Sequence, residues 1–301
     1  MCRENDVLQA ALDCFCEERL PDTHKGDYGR VFILAGSQGM TGAACLCAEA
    51  ALHMGAGLVY LACPAGLLHT YECLVPEAVK IPVGTAEDRW FKETHFTDLL
   101  EAVRGKDVLV LGPGLGRHPE TEKLVRALLE DSSFGQDARA ILIDADALNV
   151  WEKYRPELET IGSPKIILTP HEGEFARLTG NSAEEIHAHR VQTANAFAKA
   201  LSGATVILKG TGTVCTNGAN TYVNTTGNPG MATGGSGDVL AGMLAGLVAT
   251  DGKTKDLYTL CTYGVALHGF VGDRAAEKYG QRFVTAGYLI EEMGAICHDA
   301  R

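Results

Sequence analysis

The chain has 301 residues, of which 46% are hydrophobic and 21% are charged, a composition typical of a folded globular protein and not of a disordered one. Its 26 lysines and arginines are outnumbered by 38 aspartates and glutamates, which gives a formal net charge of −12. This acidity argues against a broad nucleic-acid interface or an anionic membrane surface as the partner. The N-terminus lacks the pattern of a secretory signal, and no apolar run reaches about 18 residues. We therefore expect a cytoplasmic protein that does not span a membrane.

Ten cysteines are spread along the chain, at Cys2, Cys14, Cys16, Cys45, Cys47, Cys63, Cys73, Cys215, Cys261 and Cys297. None belongs to a CxxC pair, the close spacing that zinc sites usually use. The two CxC pairs fall in predicted helices, where residues two apart point to different sides. A chain of this length also buries enough apolar surface to fold without disulfides. We therefore predict reduced thiols that pack as small apolar side chains.

Short apolar runs alternate with helical patterns from about residue 30 to the C-terminus. The runs are typical of strands buried on both faces, and they span residues 31–35, 58–62, 108–111, 141–143, 166–168 and 206–208. The main helical patterns between them span residues 42–54, 119–131, 172–179 and 182–201. This alternation predicts an α/β fold with a central, mainly parallel sheet that helices cover on both faces.

The pattern changes after residue 210. The β-branched residues of 211–223 flank Asn217-Gly218, a strong signal for a hairpin, so we expect a small antiparallel edge to the sheet. From Gly235 onward the chain reads as almost wholly helical, with breaks near Gly252 and Gly280.

The domain organisation is predicted to be simple. No internal repeat, low-complexity segment or proline-rich linker is present, so we predict one domain over residues 25–301 after a helical lead-in over residues 1–24. The glycine-rich helical stretch at 241–246 either packs subunits against one another or packs within a single core. Our expectation is a homo-oligomer, with a tetramer as the working assumption.

The most informative segment is a glycine-rich loop that leads directly into a helix, at residues 224–248. Glycines at three of the four positions 234–237 let backbone N–H groups converge, because no Cβ obstructs them. The free amides and the positive end of the helix dipole then suit an anion. Asp238 lies in the first helical turn. It either stabilises the dipole, by roughly 0.3–1 kcal/mol, or takes a proton from a hydroxyl that is being phosphorylated.

Other candidate segments follow strands, at the end of the sheet where open α/β folds bind ligands. Residues 36–44 and 112–116 are glycine-rich, although the second lacks the GxGxxG spacing of dinucleotide-binding loops. His171 is placed to hydrogen-bond a ligand, and Glu174 to orient the waters of a magnesium ion. The simpler interpretation of these two residues is the capping of a helix.

Two acidic residues and one lysine remain open in the same way. Asp144 and Asp146 follow the strand at 141–143, so they either face a ligand or cap a helix. Lys209 precedes a second glycine-rich segment and is placed to hold a phosphate as a point charge, although a lysine at a strand end is commonly only solvated.

Taken together, these segments resemble the ADP/ATP-dependent NAD(P)H-hydrate dehydratase family, which has the ribokinase-like fold. The motifs that carry the resemblance occur in order, as Lys25-Gly-Asp-Tyr-Gly-Arg30, Gly36-Ser-Gln-Gly-Met-Thr-Gly-Ala-Ala44, Ala56-Gly57, Gly112-Pro-Gly-Leu-Gly116, Asp144-Ala-Asp-Ala-Leu-Asn149, Thr169-Pro-His-Glu-Gly-Glu174, Lys209-Gly-Thr-Gly-Thr213 and Asn228-Pro-Gly-Met-Ala-Thr-Gly-Gly-Ser-Gly-Asp238. They cover roughly nine-tenths of the chain. The form of 36–44 resembles the bacterial branch, which generally uses ADP. Many bacterial members also carry an N-terminal epimerase domain, which we expect to be absent here.

The resemblance implies an enzyme that repairs hydrated nicotinamide cofactors. In the hydrates of NADH and NADPH, added water leaves a hydroxyl at C6 of the nicotinamide ring. The implied reaction transfers a phosphoryl group from ADP, or from ATP, to this hydroxyl. Elimination of phosphate then restores the ring, and ADP leaves as AMP. The implied partners are therefore small molecules, and Mg²⁺ is the implied cofactor.

The resemblance also implies residue roles. Asp238 is the implied base, assisted by the loop residues Gly235, Ser236 and Gly237, whose amides stabilise the moving phosphoryl group. The hydrated cofactor is held near Ala43, Gly114, His171 and Asp238. The adenine nucleotide lies along Lys209, Gly210, Thr211, Gly212, Thr213 and Gly237. Glu174 corresponds to the glutamate that lies near magnesium in this fold and would act through water.

Two other functions are compatible with parts of this pattern. A ribokinase-like kinase of a small alcohol, such as a thiamine precursor, shares the fold but often has cysteine at the position of Asp238 and usually lacks the pattern at 169–174. A catalytically silent nucleotide sensor is the other, and it would typically have lost the aspartate or the glycine loop. Both features are present in this sequence.

Overall fold

A computed structural model describes residues 4–154 and 165–299 of the chain. Cys2, one of the ten predicted thiols, lies outside the described residues. So do parts of the predicted lead-in over 1–24 and of the predicted domain over 25–301. Within the described ranges, no helix is both long and apolar enough to cross a membrane.

One sheet forms the centre of the molecule. In the described part of the chain it has nine strands in the spatial order β3-β2-β1-β4-β5-β6-β7-β8-β9. Their bounds in chain order are β1 Arg30–Leu34, β2 Leu58–Pro64, β3 Val79–Val83, β4 Val108–Leu111, β5 Ala140–Ile143, β6 Ile166–Leu168, β7 Thr205–Leu208, β8 Val214–Thr216 and β9 Thr221–Val223. The first seven pair in parallel and the last two antiparallel. The predicted mainly parallel sheet and its antiparallel edge hairpin are both confirmed.

Helices cover both faces of this sheet. Their bounds are α1 Glu4–Phe15, α2 Thr41–His53, α3 Leu68–Leu74, α4 Phe96–Ala102, α5 Pro119–Glu130, α6 Ala145–Tyr154, α7 Glu172–Thr179, α8 Ala183–Ala188, α9 Arg190–Ala200, α10 Ser236–Asp251, α11 Leu257–Tyr279 and α12 Ala286–Asp299. One large core lies between the sheet and α1, α2, α10, α11 and α12, and a second lies beneath α4, α5 and α6. The central strands are buried on both faces, which explains why they read as continuous apolar runs.

Most helix predictions are confirmed, but the single helix predicted over residues 182–201 is wrong. The chain breaks at His189, whose φ of −134° and ψ of 41° lie outside the helical region. Ser182 caps the first half by accepting a hydrogen bond from the Glu185 N–H. The break turns Arg190 toward the end of β7, where its side chain donates to the carbonyl oxygen of Leu208.

Several elements were not predicted. Strand β3 lies at the sheet edge, contains Pro82 and is only partly buried, so it lacks the continuous apolar run of the central strands. Helices α3 and α4 have seven residues each, too few to show a clear helical period. Helix α6 begins directly after Asp144, in a stretch that the sequence analysis treated only as the end of a strand.

The glycine-rich stretch at 241–246 packs within one core. Residues 239–249 of α10 are all buried, and α10 packs against α2. A Cβ on Gly246 would lie 2.6 Å from the carbonyl oxygen of Ala51, and one on Gly242 would meet that of Cys47. Glycine at these two positions therefore allows the two helices to approach closely.

The prediction that all ten cysteines are reduced is wrong for two of them. Cys16, one residue past the end of α1, forms a disulfide with Cys297 in α12, with a Cα–Cα distance of 5.4 Å. Helix α1 packs against α11 and α12, and this contact brings together two residues that are 281 positions apart. Seven of the other cysteines are free, and all of these except Cys73 are buried.

We expect Cys16→Ser to lower the free energy of unfolding by about 2–4 kcal/mol under non-reducing conditions, because the disulfide restricts the unfolded chain. Thermal unfolding of the wild type and the variant, each with and without reductant, measures this difference. Cys73→Ser is the control, since Cys73 is exposed and free. Equal stability of wild type and Cys16→Ser without reductant would contradict the prediction.

Candidate active site

The candidate site lies where the strand order of the sheet reverses. Strands β1 and β4 are neighbours in the sheet, and the crevice beyond their carboxyl ends is the usual ligand position in such folds. The loops that follow them are joined there, since the Gly36 N–H donates to the Pro113 carbonyl at 2.8 Å and Ser37 Oγ donates to the Gly114 carbonyl at 3.0 Å. The two glycine-rich segments at 36–44 and 112–116 therefore form one rim.

The predicted substrate residues Ala43 and Gly114 meet in this rim. Gly114 has a φ of +62°, and a Cβ built on it would lie 2.9 Å from the Cβ of Ala43 and 2.7 Å from the Met40 carbonyl oxygen. A side chain at position 114 would therefore collide with α2. The rim presents main chain and a methyl group, which suits a flat ring.

A buried ion pair forms the floor next to this rim. Lys209 Nζ lies 2.7 Å from Asp144 Oδ1, and the Asp144 side chain is only 2% exposed. Asp144 follows β5 and Lys209 follows β7, two strands separated in the sheet only by β6. The predicted interpretation of Lys209 as a merely solvated strand end is wrong, because its ammonium group is directed into the site.

Asp144 also connects the floor to the rim. A Cβ on Gly112 would clash with the Asp144 carbonyl oxygen, so the loop after β4 packs directly on the end of β5. The next residue, Ala145, has a φ of +49°, an unusual conformation for a residue with a side chain, and it begins α6. Asp146 fixes the outer part of the loop by accepting a hydrogen bond from the Gly116 N–H at 2.8 Å.

The glycine-rich loop lies against the same lysine. Gly235 is the N-cap of α10 with a φ of +91°, and a Cβ on it would lie 2.6 Å from Leu46 and 2.9 Å from Ala286. A Cβ on Gly237 would lie 3.4 Å from Lys209 Nζ. The predicted anion-binding loop and the predicted phosphate-binding lysine are thus brought together.

The amides of this loop do not all point to one ligand. The Ser236 N–H donates to the Thr233 carbonyl at 3.4 Å, a long hydrogen bond within the loop. Gly237 and Asp238 lie in the first turn of α10, where N–H groups have no intrahelical acceptor. The first turn therefore offers its amides next to the Lys209 ammonium group.

The loop is held in place by helix α11. Asn228 Nδ2 donates to the Gly272 carbonyl and to Asp273 Oδ1, both at 2.9 Å, and the Gly227 N–H donates to Asp273 Oδ2 at 2.8 Å. Thr226 Oγ1 donates to the Ala266 carbonyl at 2.8 Å. Sequence analysis did not identify this role of Asp273, because an aspartate within a long helix carries no signal of its distant partner.

Asp238 carries an unusual charge environment. Its pKa is raised from 3.8 to about 6, mainly by burial and then by the charge of Asp144, with a smaller contribution from Asp146, while the ammonium group of Lys209 opposes the shift. For Lys209, burial alone would lower the pKa, but Asp144, Glu174 and Asp238 outweigh burial and raise it. The site therefore contains a carboxylate that exchanges its proton near neutral pH, beside a lysine that stays protonated.

His268 is a member of the site that sequence analysis missed. Its Nε2 lies 3.0 Å from the Ser236 carbonyl oxygen and 3.4 Å from Ser236 Oγ. Burial, together with the charge of Lys209, lowers its pKa to about 4, although the Ser236 carbonyl opposes this shift. The imidazole is therefore neutral near pH 7 and donates to the first residue of α10. A histidine in the apolar pattern of α11 gives no sequence signal for this role.

His171 and Glu174 cap helix α7. His171 Nδ1 accepts hydrogen bonds from the N–H groups of Gly173 and Glu174, and Glu174 Oε2 accepts one from the His171 N–H at 2.8 Å. The simpler interpretation of these residues is thus confirmed. Capping does not remove them from the site, because the main chain of His171 pairs with that of Lys209 and the charge of Glu174 acts on Lys209.

The carboxylates of the site fit a magnesium ion only in a limited way. No cluster of three or more metal-ligating side chains occurs among the described residues, so the protein offers no complete cage. Magnesium usually keeps several waters and is bound by one or two carboxylates together with substrate phosphates. The buried carboxylate of Glu174, which uses one oxygen for the capping bond, fits a contact to such an ion through water.

We expect Asp238→Asn to stabilise the folded protein by about 3 kcal/mol at pH 8. The pKa of Asp238 is raised in the folded state, so the wild type loses stability as the pH rises from 3.8 to about 6, whereas asparagine carries no charge at any of these values. Chemical unfolding at pH 8 and at pH 4 measures the effect, which we expect to be small at pH 4. An equal or lower stability of the variant at pH 8 would contradict this description of Asp238.

Comparisons with known proteins identify the family. The sequence profile of the NAD(P)H-hydrate dehydratase family matches residues 31–294. The chain is 40% identical over 287 residues to the bifunctional NAD(P)H-hydrate repair enzyme of Moorella thermoacetica. This alignment covers 92% of this chain and 51% of that protein. It is 33% identical over 272 residues to the ADP-dependent (S)-NAD(P)H-hydrate dehydratase of Listeria monocytogenes, covering 90% of this chain and 89% of that protein.

The solved structures give the same result. The ADP/ATP-dependent NAD(P)H-hydrate dehydratase of Bacillus subtilis, co-crystallised with ATP and Mg²⁺, superimposes with a TM-score of 0.76 and 25% identity, covering 99% of this chain and 97% of that one. The predicted ribokinase-like fold is thereby confirmed. The chain spans about half the length of the bifunctional relatives that it matches. On its sequence and its fold, the chain belongs to the NAD(P)H-hydrate dehydratase family.

Proposed function

We propose that this chain catalyses the ADP-dependent dehydration of (6S)-NAD(P)H hydrate to NAD(P)H, with release of AMP and phosphate. The observation that carries the proposal is Asp238, a carboxylate with a pKa of about 6 at the start of a glycine-rich helix and beside Lys209. The names of the relatives support it, since one is an ADP-dependent dehydratase of similar length.

In the first step, Asp238 accepts the proton of the C6 hydroxyl. The hydroxyl oxygen attacks the terminal phosphorus of ADP, the bond from that phosphorus to the bridging oxygen breaks, and AMP leaves with the bonding electrons. A base with a pKa of about 6 is deprotonated at pH 7 and is still basic enough to share the proton as the bond forms. The amides of Gly235 and Gly237 are proposed to donate to the phosphoryl group, where hydrogen-bond donors are most effective, whereas the Ser236 N–H is bonded to the Thr233 carbonyl in this structure.

In the second step, the phosphate leaves C6 with the electrons of the C–O bond, the neighbouring ring carbon gives up a proton to the departing phosphate, and the electrons of that C–H bond form the double bond. Phosphorylation makes this elimination easy, because phosphate is a far better leaving group than hydroxide. The rim at Ala43 and Gly114, together with His171, is proposed to hold the ring. The main-chain surface of the rim orients the ring without adding a competing base.

The nucleotide is proposed to lie along residues 209–213 and Gly237. The Lys209 ammonium group is buried, whereas Gly210 and Thr211 are exposed, so this segment runs from the interior to the surface. Such a path suits a nucleotide whose terminal phosphate is inside and whose adenine is outside. When bound, Mg²⁺ would neutralise phosphate charge, and Glu174 would hold it through water. The solved relative from Bacillus subtilis was crystallised with ATP and Mg²⁺, so ATP is the alternative donor.

The proposal extends to the organisation of the protein. We propose that residues 25–301 act as one domain after the lead-in at 1–24, that the protein works in the cytoplasm, where its proposed substrates occur, and that it assembles as a homo-oligomer. Ala11 and Cys14 of α1 are part of the main core, so the lead-in packs on the domain. Light scattering of the purified protein measures the number of subunits.

We expect the wild type to restore absorbance at 340 nm when hydrated NADH and ADP are supplied together, and to release one AMP per NADH. ATP in place of ADP measures the donor preference. Asp238→Asn should abolish this turnover and leave ADP binding within about twofold, because the amides and Lys209 remain. Phosphorylation of hydroxyethylthiazole with no turnover of hydrated NADH would instead favour the kinase, and full activity of the variant would exclude Asp238 as the base.

We expect kcat/KM to fall below about pH 6, because protonation of Asp238 removes the base. Asp144→Asn should move this acidic limb to lower pH, since the charge of Asp144 helps to raise the pKa of Asp238. Asp146→Asn is the matched control and should move the limb less, because its effect on Asp238 is weaker. Rate profiles from about pH 4.5 to about pH 8, which extend to both sides of the limb, measure both shifts. A limb that stays fixed or rises in Asp144→Asn would contradict this coupling.

A further inference from the structure

A buried arginine lies next to the proposed nucleotide segment and contacts two segments of the site, the end of β7 and the start of α7. Arg190 is the first residue of α9, and its side chain is only 13% exposed. Its Nη2 donates to the carbonyl oxygens of Leu208 at 3.0 Å and Lys209 at 3.2 Å. Its Nη1 pairs with Glu172 Oε1. One guanidinium group therefore holds three acceptors.

These acceptors belong to two different segments of the site. The carbonyls of Leu208 and Lys209 directly precede residues 210–213, the proposed path of the nucleotide. Glu172 is the first residue of α7, next to His171, on the side proposed for the hydrated cofactor. Main-chain pairing between His171 and Lys209 joins the same two segments from the other side. Arg190 thus adds side-chain bonds to the main-chain link between the nucleotide segment and the 171–174 turn.

The local conformation is adapted to this arginine. Strand β7 ends at Leu208, so the Lys209 carbonyl lies beyond the strand and is bonded by the guanidinium group. Gly210 has a φ of +136°, and a Cβ built there would lie 3.2 Å from Arg190 Nη2. Glycine lets the guanidinium group lie flat against the main chain at the start of the nucleotide segment.

A lysine cannot replace this arrangement. A guanidinium group is planar and directs several N–H donors in fixed directions, whereas an ammonium group is a compact point charge on a flexible stem. Hydrogen bonds from a charged donor are about twice as strong as neutral ones. Replacing Arg190 removes the bonds to all three acceptors at once, because one guanidinium group makes them. Without Arg190, residues 209–213 must be ordered by the nucleotide itself, which weakens binding.

We propose that Arg190 is a positioning residue, which holds residues 209–213 in the conformation that binds the nucleotide and ties them to the 171–174 turn through Glu172. The proposal rests on the proposed function only for the identity of the nucleotide. In the proposed arrangement Arg190 touches neither the substrate nor the reacting atoms. Its replacement should therefore change the affinity for the nucleotide more than the rate of the chemical step.

The test compares Arg190→Lys with Arg139→Lys. Arg139 makes a similar set of contacts far from the site, from Nη1 to the Ala249 carbonyl at 3.0 Å and from Nη2 to Asp107 Oδ1 at 2.7 Å, and its side chain is 24% exposed. Calorimetric titration with ADP gives the affinity, and thermal unfolding gives the stability of each variant. We expect Arg190→Lys to weaken ADP binding about tenfold and Arg139→Lys to leave it within about twofold, although both lose stability.

A second pair of measurements separates positioning from general damage. In turnover assays, Arg190→Lys should raise the KM for ADP about tenfold and leave kcat within about threefold. Glu172→Gln keeps an oxygen that accepts from Arg190, so it should weaken ADP binding by less than Arg190→Lys. Equal ADP affinities of Arg190→Lys and Arg139→Lys would overturn the positioning role. A wild type that binds ADP but does not dehydrate hydrated NADH would overturn the proposed function, and the ADP affinities of Arg190→Lys and Arg139→Lys would then decide the role of Arg190. A wild type that binds no ADP would overturn both proposals.

Discussion

A single buried ammonium group, shared among several carboxylates, is the interaction on which the candidate site depends. Lys209 bonds Asp144 directly, and the charges of Glu174 and Asp238 also act on it. One cation cannot fully compensate three anions in a region of low dielectric. Asp238 is partly buried and receives no bond from Lys209, and its pKa rises to about 6. A raised pKa is what the proton acceptor of the proposed mechanism needs, and burial together with the surplus of negative charge supplies it.

The order of the strands brings these charges together. Strands β5, β6 and β7 are adjacent and parallel, so the residues that follow them meet at one edge of the sheet. Asp144, His171 and Lys209 occupy these three positions. Asp238 comes from a different layer, at the start of α10, and reaches the same corner because the left-handed conformation of Gly235 turns the loop into the helix. The site is thus assembled from sheet edge and helix start, and residues more than 90 positions apart become neighbours.

Local patterns in the sequence predicted most helices and strands and the candidate segments. Contacts between distant segments could not be predicted from such patterns. The buried strands and the loop before Asp238 carry strong periodic or glycine signals, so they could be predicted from a few neighbouring residues. The disulfide of Cys16, the contact of His268 with Ser236 and the ion pair of Asp144 depend on how distant segments pack, and no local pattern encodes them. The break at His189 was missed for the same reason, because the acceptors of Arg190 lie at the end of β7 and at the start of α7.

The site also explains why its supporting helix is so deeply buried. A carboxylate with a raised pKa costs folding free energy whenever it is charged, so the structure around it must be stable for other reasons. Residues 239–249 of α10 are all buried, and the close approach of α10 to α2 provides dense packing behind Asp238. The hydrogen bonds from Asn228 to α11 hold the loop on its other side. Packing and hydrogen bonds thus keep the loop and the carboxylate in place, even though the charge of Asp238 opposes folding.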